Sequence, residues 1–206
     1  MTWWSFSRLP PGYMGKSFWQ IDNGRFINPP FLFGSGGVEA LGKEMTADLQ
    51  ELKRRAREQP GTVVPLASKG VHFGEISYVE GGFDTSRVEG VDADLVVKPF
   101  GRKGEFATVR GFDLEALAFH LGMQAAEVVG EDVDADGDGV ANEILAGEVS
   151  VLDVHNVTLP RPRQEAGAAA ANRGKQLFDE IGCADCHVPA LATRSRFLLL
   201  AFPEAP

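Results

Sequence analysis

Between positions 37 and 59 the apolar residues Val38, Leu41, Met45, Leu49, Leu52 and Ala56 recur at spacings of three and four. That period puts them on one stripe of a helix, and Pro60 with Gly61 stops it. Residues 61–111 change rhythm. Short alternating or β-branched pieces (Val71 to Val79, Leu95 to Phe100, Phe106 to Val109) are separated by Gly81-Gly82, Gly90, Gly101 and Gly104, which predicts short strands or extended loops. Asp113 can cap a second helix running to about Val129, with Leu114, Leu117, Leu121, Ala125 and Val128 on one stripe and Gly130 closing it.

Gly147 to Leu159 is ambiguous by pattern, and its valines (Val149, Val151, Val154, Val157) favour a strand. From Glu165 an Ala-rich run to Ile181 predicts a helix with Gly174, Leu177, Phe178 and Ile181 on one face and Gly182 just past its end. The aromatic, proline-broken stretch Met1 to Phe33 and the tail from Val188 to Pro206 read as irregular. No internal repeat is present.

Composition narrows the function classes. The 206 residues carry 20 basic and 29 acidic side chains, a formal charge of −9, which disfavours phosphate backbones as partners. The longest uncharged apolar run, Phe197 to Phe202, is far shorter than the ~18 to 20 residues that span a bilayer. Met1 to Phe18 does not read as a secretory signal.

Two motifs carry candidate chemistry. Cys183-Ala184-Asp185-Cys186-His187 has the Cys-x-x-Cys-His spacing of c-type haem attachment. Two thiols three residues apart can add to the vinyl groups along one porphyrin edge, and the adjacent His187 can reach the iron. The competing readings are a redox pair, which normally accompanies a βαβ pattern, and a zinc site, which wants further ligands nearby. Both cysteines of the chain lie in this motif, and the 19 residues after His187 hold neither Met nor His. The sixth coordination position is therefore open, filled from upstream, or completed by sequence not present here. Among the upstream His and Met residues, His120 and Met123 are one helical turn apart on the expected second helix.

The second motif is the run from Asp132 to Glu143, which fits Asp-x-Asp-x-Asp-Gly-x5-Glu at every fixed position. Asp132, Asp134, Asp136, Asp138 and Glu143 supply oxygens suited to Ca2+, and Gly137 permits the sharp turn. Gly139 replaces the apolar residue through which paired loops of this kind associate, so a solitary calcium loop is expected. An acidic solvated turn is the alternative. Lys53, Arg54, Arg55 and Arg57 form a basic cluster that reads as a solvated helix face, with Glu51 and Arg55 paired, or as a docking patch for an acidic redox partner.

Several stretches together resemble the bacterial di-haem oxidoreductases, often called putative thiol oxidoreductases and related to di-haem cytochrome c peroxidases. They are Pro29 to Ala40 (PPFLFGSGGVEA), Asp94 to Gly104 (DLVVKPFGRKG), His120 to Gln124 (HLGMQ), Asp134 to Glu143, Leu159 to Pro162, and Gly182 to Pro189. The resemblance implies a periplasmic protein with two c-type haems, one for electron entry and one for peroxide or small-substrate chemistry, a metal ion between or near them, and a redox protein or small molecule as electron donor or acceptor. With one haem motif present, the chain reads as a fragment. Residues 1–163 would be the middle region of such a protein and 164–206 the start of a truncated haem domain. The expected fold is mainly α, with a cytochrome c-like C-terminal piece and an irregular middle containing short strands. Electron transfer is the expected role, as part of a peroxidase-like oxidoreductase; a mono-haem carrier or a calcium-braced, non-catalytic fragment are the alternatives.

Overall fold

The computed structural model describes residues 32–101, 103–163, 167, 169–185 and 187–203. Of the segment Met1 to Phe33, expected to be irregular, residues 1–31 lie outside them.

The helix anticipated from the first apolar stripe is α1, Ser35–Glu58. Its C-terminal half buries Met45, Leu49 and Ala56, with Leu41 and Leu52 packed at the edge. Its N-terminal half buries Ser35, Gly36, Glu39 and Gly42 instead, while Val38 of the expected stripe is exposed. A second helix, α4 (Ala146–Thr158), approaches there so closely that a Cβ on Gly36 would stand 2.2 Å from the Val157 carbonyl oxygen. Only glycine permits that approach.

Three antiparallel strands, β1 (Val63–Ser68), β2 (Val71–Val79) and β3 (Gly82–Asp84), form a sheet in the order β1-β2-β3. Leu66 of β1 and Phe73 and Ile76 of β2 close on Met45, Leu49 and Ala56, and Leu95 completes this core. The pieces expected as short strands or extended loops over Leu95 to Phe100 and Phe106 to Val109 form no ladder; one isolated bridge joins Phe100 to Phe106. This segment is fastened to α1 instead, where Thr46 Oγ1 accepts from the Val97 N–H at 2.9 Å and Gln50 Nε2 donates to the Asp94 carbonyl at 2.7 Å.

The second helix differs from expectation at both ends. It is α2, Val109–Ala116, capped by Thr108, whose Oγ1 accepts from the Gly111 N–H at 3.1 Å. Asp113 is therefore inside the helix and buried, not its cap. A π-helical turn, Leu117–Leu121, follows and ends at Gly122 (φ 69). Helix resumes as the short α3, Ala126–Val129, after Ala125 pairs with Ile144. Leu117, Ala125, Ile144 and Val149 make a second core, on which Leu114, Met123 and Leu152 pack. The valine-rich run, ambiguous by pattern though its valines favour a strand, is the helix α4. Glu148 accepts from the Leu145 N–H at 2.8 Å at its start, and Val149, Asp153 and Asn156 are buried at helical spacing. Tertiary burial of one helical face outweighs the modest strand preference of valine.

The last helix, α5, is Ala169–Glu180, followed by a 3-10 turn at Cys183–Asp185. The expected start at Glu165 lies outside the described residues. The tail is irregular, as expected, but it is not loose. Leu191 packs on the first core, and Lys43 and Lys69 donate to the Leu199 and Ala192 carbonyls.

These elements correct the expected fold class. The described residues are 42% helix and 14% strand, so the chain is not clearly mainly α, and nothing in it supports a cytochrome c fold. The short strands expected in the middle region pair into one three-stranded sheet, which supplies Leu66, Phe73 and Ile76 to the first core. Near the C-terminus α5 buries no residue. Among the described residues no helix is long and apolar enough to cross a membrane.

Leu49 is fully buried between α1 and the sheet. Leu49→Ala is expected to cost about 2 to 5 kcal/mol in denaturant unfolding, against about 0.5 kcal/mol or less for Val151→Ala, which lies on the exposed face of α4.

Candidate functional site

The acidic loop hangs between α3 and α4 on a built stem. Ala126 N–H donates to the Ile144 carbonyl at 2.9 Å, continuing the Ala125 to Ile144 bridge. Arg110 on α2 clamps both sides of that stem. Its guanidinium pairs with Glu127 on α3 and reaches the Ala146 carbonyl at 3.2 Å and Ser150 Oγ at 3.0 Å in the first turns of α4. Gln124 adds a third tie, its N–H donating to Glu143 and its side-chain oxygen accepting from the Ala135 N–H at 3.1 Å.

Within the loop the structure brings together three of the five anticipated ligands. Carboxylate oxygens of Asp134, Asp136 and Asp138, all exposed, lie within 4.8 Å of one another. Asp134 accepts from the Gly139 N–H at 2.9 Å and the Gly137 N–H at 2.7 Å, and these two bonds, in that order, hold its carboxyl below the usual range. The other two are placed elsewhere. Asp132 exchanges hydrogen bonds with Asn142 across the loop base, at 2.9 and 2.8 Å, and Glu143 is held by Gln124. An oxygen-only donor set of this kind suits a hard cation such as Ca2+.

The Cys-x-x-Cys-His motif begins three residues after the end of α5, past a turn whose Gly182 has φ 79. Cys183 is half-buried, and His187 is exposed with its backbone N–H bonded to the Cys183 carbonyl at 2.8 Å. Cys186 lies outside the described residues. The Phe178 ring of α5 stands 6.3 Å from the His187 imidazole, so helix and histidine border the same space. Leu177, Ile181 and Val188 are exposed beside them in sequence, at 40%, 72% and 44%. Thiol and imidazole donors next to an uncovered apolar stripe fit a haem, whose porphyrin would give that stripe something to pack on.

His120 and Met123 do not share a helical face. The π-turn ends between them, leaving His120 exposed with Phe119 edge-on at 5.0 Å and Met123 packed into the second core. Among the described residues no hydrogen bond or ring contact is seen from either to Cys183 or His187.

The basic cluster forms the anticipated salt-bridged face. Arg54 pairs with Glu51 and Glu58, and Arg55 with Glu51 at 3.2 Å. Lys53 and Arg57 lie over the Phe83 ring at 5.2 and 5.3 Å, so their stems cover the sheet.

Pattern reading missed two polar clusters. One is the buried junction of α1, α2 and α4, where Glu39, Asp113, Asp153 and Asn156 are each 5% exposed or less. Asn156 Nδ2 donates to Asp113 Oδ1 at 2.8 Å, and Ser35 Oγ donates to the Asn156 carbonyl at 2.8 Å. Burial raises the Asp113 carboxyl to about 6 against the opposing Asn156 bond, with the Asp153 charge adding to the rise. Burial, then the Glu39 charge, raises Asp153 as well. The available signal was polar residues in register with an apolar stripe: Asp153 lies four residues after Val149, which becomes visible once the segment is read as a helix.

The other cluster straps the tail to α1. Glu44 accepts from the Lys69 ammonium at 2.6 Å and from the Arg194 and Ser195 N–H groups at 2.8 Å, while Arg194 Nη2 pairs with Asp48 at 2.8 Å. The Lys69 bond, then the two backbone bonds, bring Glu44 down to about 2. A carboxyl lowered on folding stabilises above its unfolded pKa and loses that contribution as pH falls through the folded value. Tail docking is therefore expected to weaken as pH falls from about 4.5 toward 2. At neutral pH Glu44→Gln is expected to speed tryptic cleavage after Arg194 and Arg196, read by mass spectrometry, with cleavage elsewhere unchanged. No family model, curated protein or solved structure matches the chain.

Proposed function

We propose that this chain is a c-type haem-binding electron-transfer protein, part of a di-haem peroxidase-like oxidoreductase that works in the periplasm with a redox protein or small molecule as its electron partner. One observation carries the reading. The Cys-x-x-Cys-His motif follows an amphipathic helix, α5, in which no residue is buried, with Phe178 beside His187. An apolar stripe left in water is costly, at about 25 cal/mol per Å2, and a covalently held porphyrin would cover it.

In this reading Cys183 and Cys186 would anchor the haem through thioether bonds and His187 would be its proximal ligand. A bound haem would supply one-electron chemistry, whose potential depends on its ligands and on burial. Phe178 stands 6.3 Å from the His187 ring and would limit its rotation, and the exposed Leu177, Ile181 and Val188 would give the haem an apolar surface. The strap from Glu44 and Asp48 to Arg194 ties the segment after the motif to α1.

The acidic loop supports a second role beside this one, bracing by a bound Ca2+. Its carriers are Asp134, Asp136 and Asp138, already gathered within 4.8 Å. Neutralising three close carboxylates removes their mutual repulsion and fixes the loop between α3 and α4.

Expression together with a haem-attachment system is expected to yield a chain that stains for haem after denaturing electrophoresis, and the Cys183→Ala, Cys186→Ala double variant one that does not. A wild-type chain without covalent haem would overturn the reading. Titration calorimetry with Ca2+ is expected to show one site that weakens about tenfold or more in Asp136→Asn, the loss of one carboxylate ligand being worth more than ~1.4 kcal/mol.

A further inference from the structure

We propose that the junction of α1, α2 and α4 is a proton-operated latch: a proton taken up by one of the two buried carboxyls, Asp113 or Asp153, keeps the three helices packed, and its loss loosens the stem of the acidic loop. The charged groups reaching the junction are Glu39 and Lys43 from α1, Arg110 and Asp113 from α2, Glu127 from α3 and Asp153 from α4. Both cations are already committed. Lys43 pairs with Glu39 Oε1 at 2.7 Å, and Glu39 Oε2 takes the Val109 N–H at 2.8 Å. Arg110 spends its donors on Glu127, Ser150 and the Ala146 carbonyl, with the Phe202 ring 5.8 Å from its guanidinium.

Among the described residues no cation pairs directly with Asp113 or Asp153, although the Arg110 charge opposes the rise at both and the Lys43 charge opposes it at Asp153. The two aspartates are 4% and 1% exposed, and Asp113 Oδ2 and Asp153 Oδ1 have no hydrogen-bond partner among the described residues. Two buried carboxylates in each other's field neutralise by taking up a proton. The raised Asp113 carboxyl, at about 6, agrees with that placement. A carboxyl raised on folding binds its proton more tightly in the native state than in the unfolded one. Its stabilising effect is full below the unfolded pKa and is lost as pH rises through the folded value.

The link to the loop is Arg110, one helical turn before Asp113 on α2. Its guanidinium ties α3 to the start of α4, the two ends of the loop. Ionisation of both carboxylates pushes α2 and α4 apart at the point where that clamp is anchored.

The test compares urea unfolding of the full chain with that of Asp113→Asn, which keeps an oxygen for Asn156 and mimics the protonated state. From pH 4 to 7.5 the unfolding constant of the wild type relative to the variant is expected to rise about a hundredfold. A ratio that stays constant over this range overturns the proposal. Carboxyl-carbon NMR of the wild type decides the same point without any variant. One of the two aspartates titrating near pH 6 supports the latch, and both titrating in the ordinary carboxylate range contradicts it. Hydrogen exchange at the Ala126 amide, corrected for intrinsic rate, is expected to quicken between pH 5 and 7.5. No change there would sever the latch from the loop.

Discussion

The structure depends on a single helix that uses one face for two different contacts. The C-terminal half of α1 buries Met45, Leu49 and Ala56 under a three-stranded sheet, an ordinary apolar contact. Its N-terminal half buries Ser35, Gly36 and Glu39 against α4 and α2, where the contact is close, polar and charged. The buried polar junction and the stem of the acidic loop both hang from that half. Glu39 receives the first N–H of α2, Asn156 of α4 holds both Ser35 and Asp113, and Arg110 of α2 grips the stem of the acidic loop.

What the pattern of residues revealed follows from how local each cause is. The period of Met45, Leu49 and Ala56 announced α1, and the glycine-bounded alternation announced β2, because burial of one face writes itself directly into spacing. The valines of α4 misled, since strand preference is weak and the helix is selected by Val149, Asp153 and Asn156 meeting α1 and α2. Asp113 looked like a cap because it is a good one. Only the fold shows that Thr108 caps the helix and that Asp113 is buried against Asn156.

The candidate sites divide in the same way. Asp134, Asp136 and Asp138 are close in sequence, and they are close in space. Asp132 and Glu143, at the loop ends, are claimed by Asn142 and Gln124, partners no linear pattern specifies. His120 and Met123 were paired on the assumption of a continuous helix, and Gly122 separates them. The strap of Glu44, Asp48, Lys69 and Arg194 joins positions up to 150 residues apart and had no sequence signature.

The proposed function turns on α5, the helix that buries nothing while standing beside the motif with its apolar side uncovered. In the proposed reading the missing half of its core is the cofactor. Hydrogen exchange over residues 169–180, compared between haem-loaded and haem-free chain, tests that most directly. The account predicts amides that exchange freely without haem and become protected by at least a hundredfold with it. Equal exchange in the two forms would contradict it.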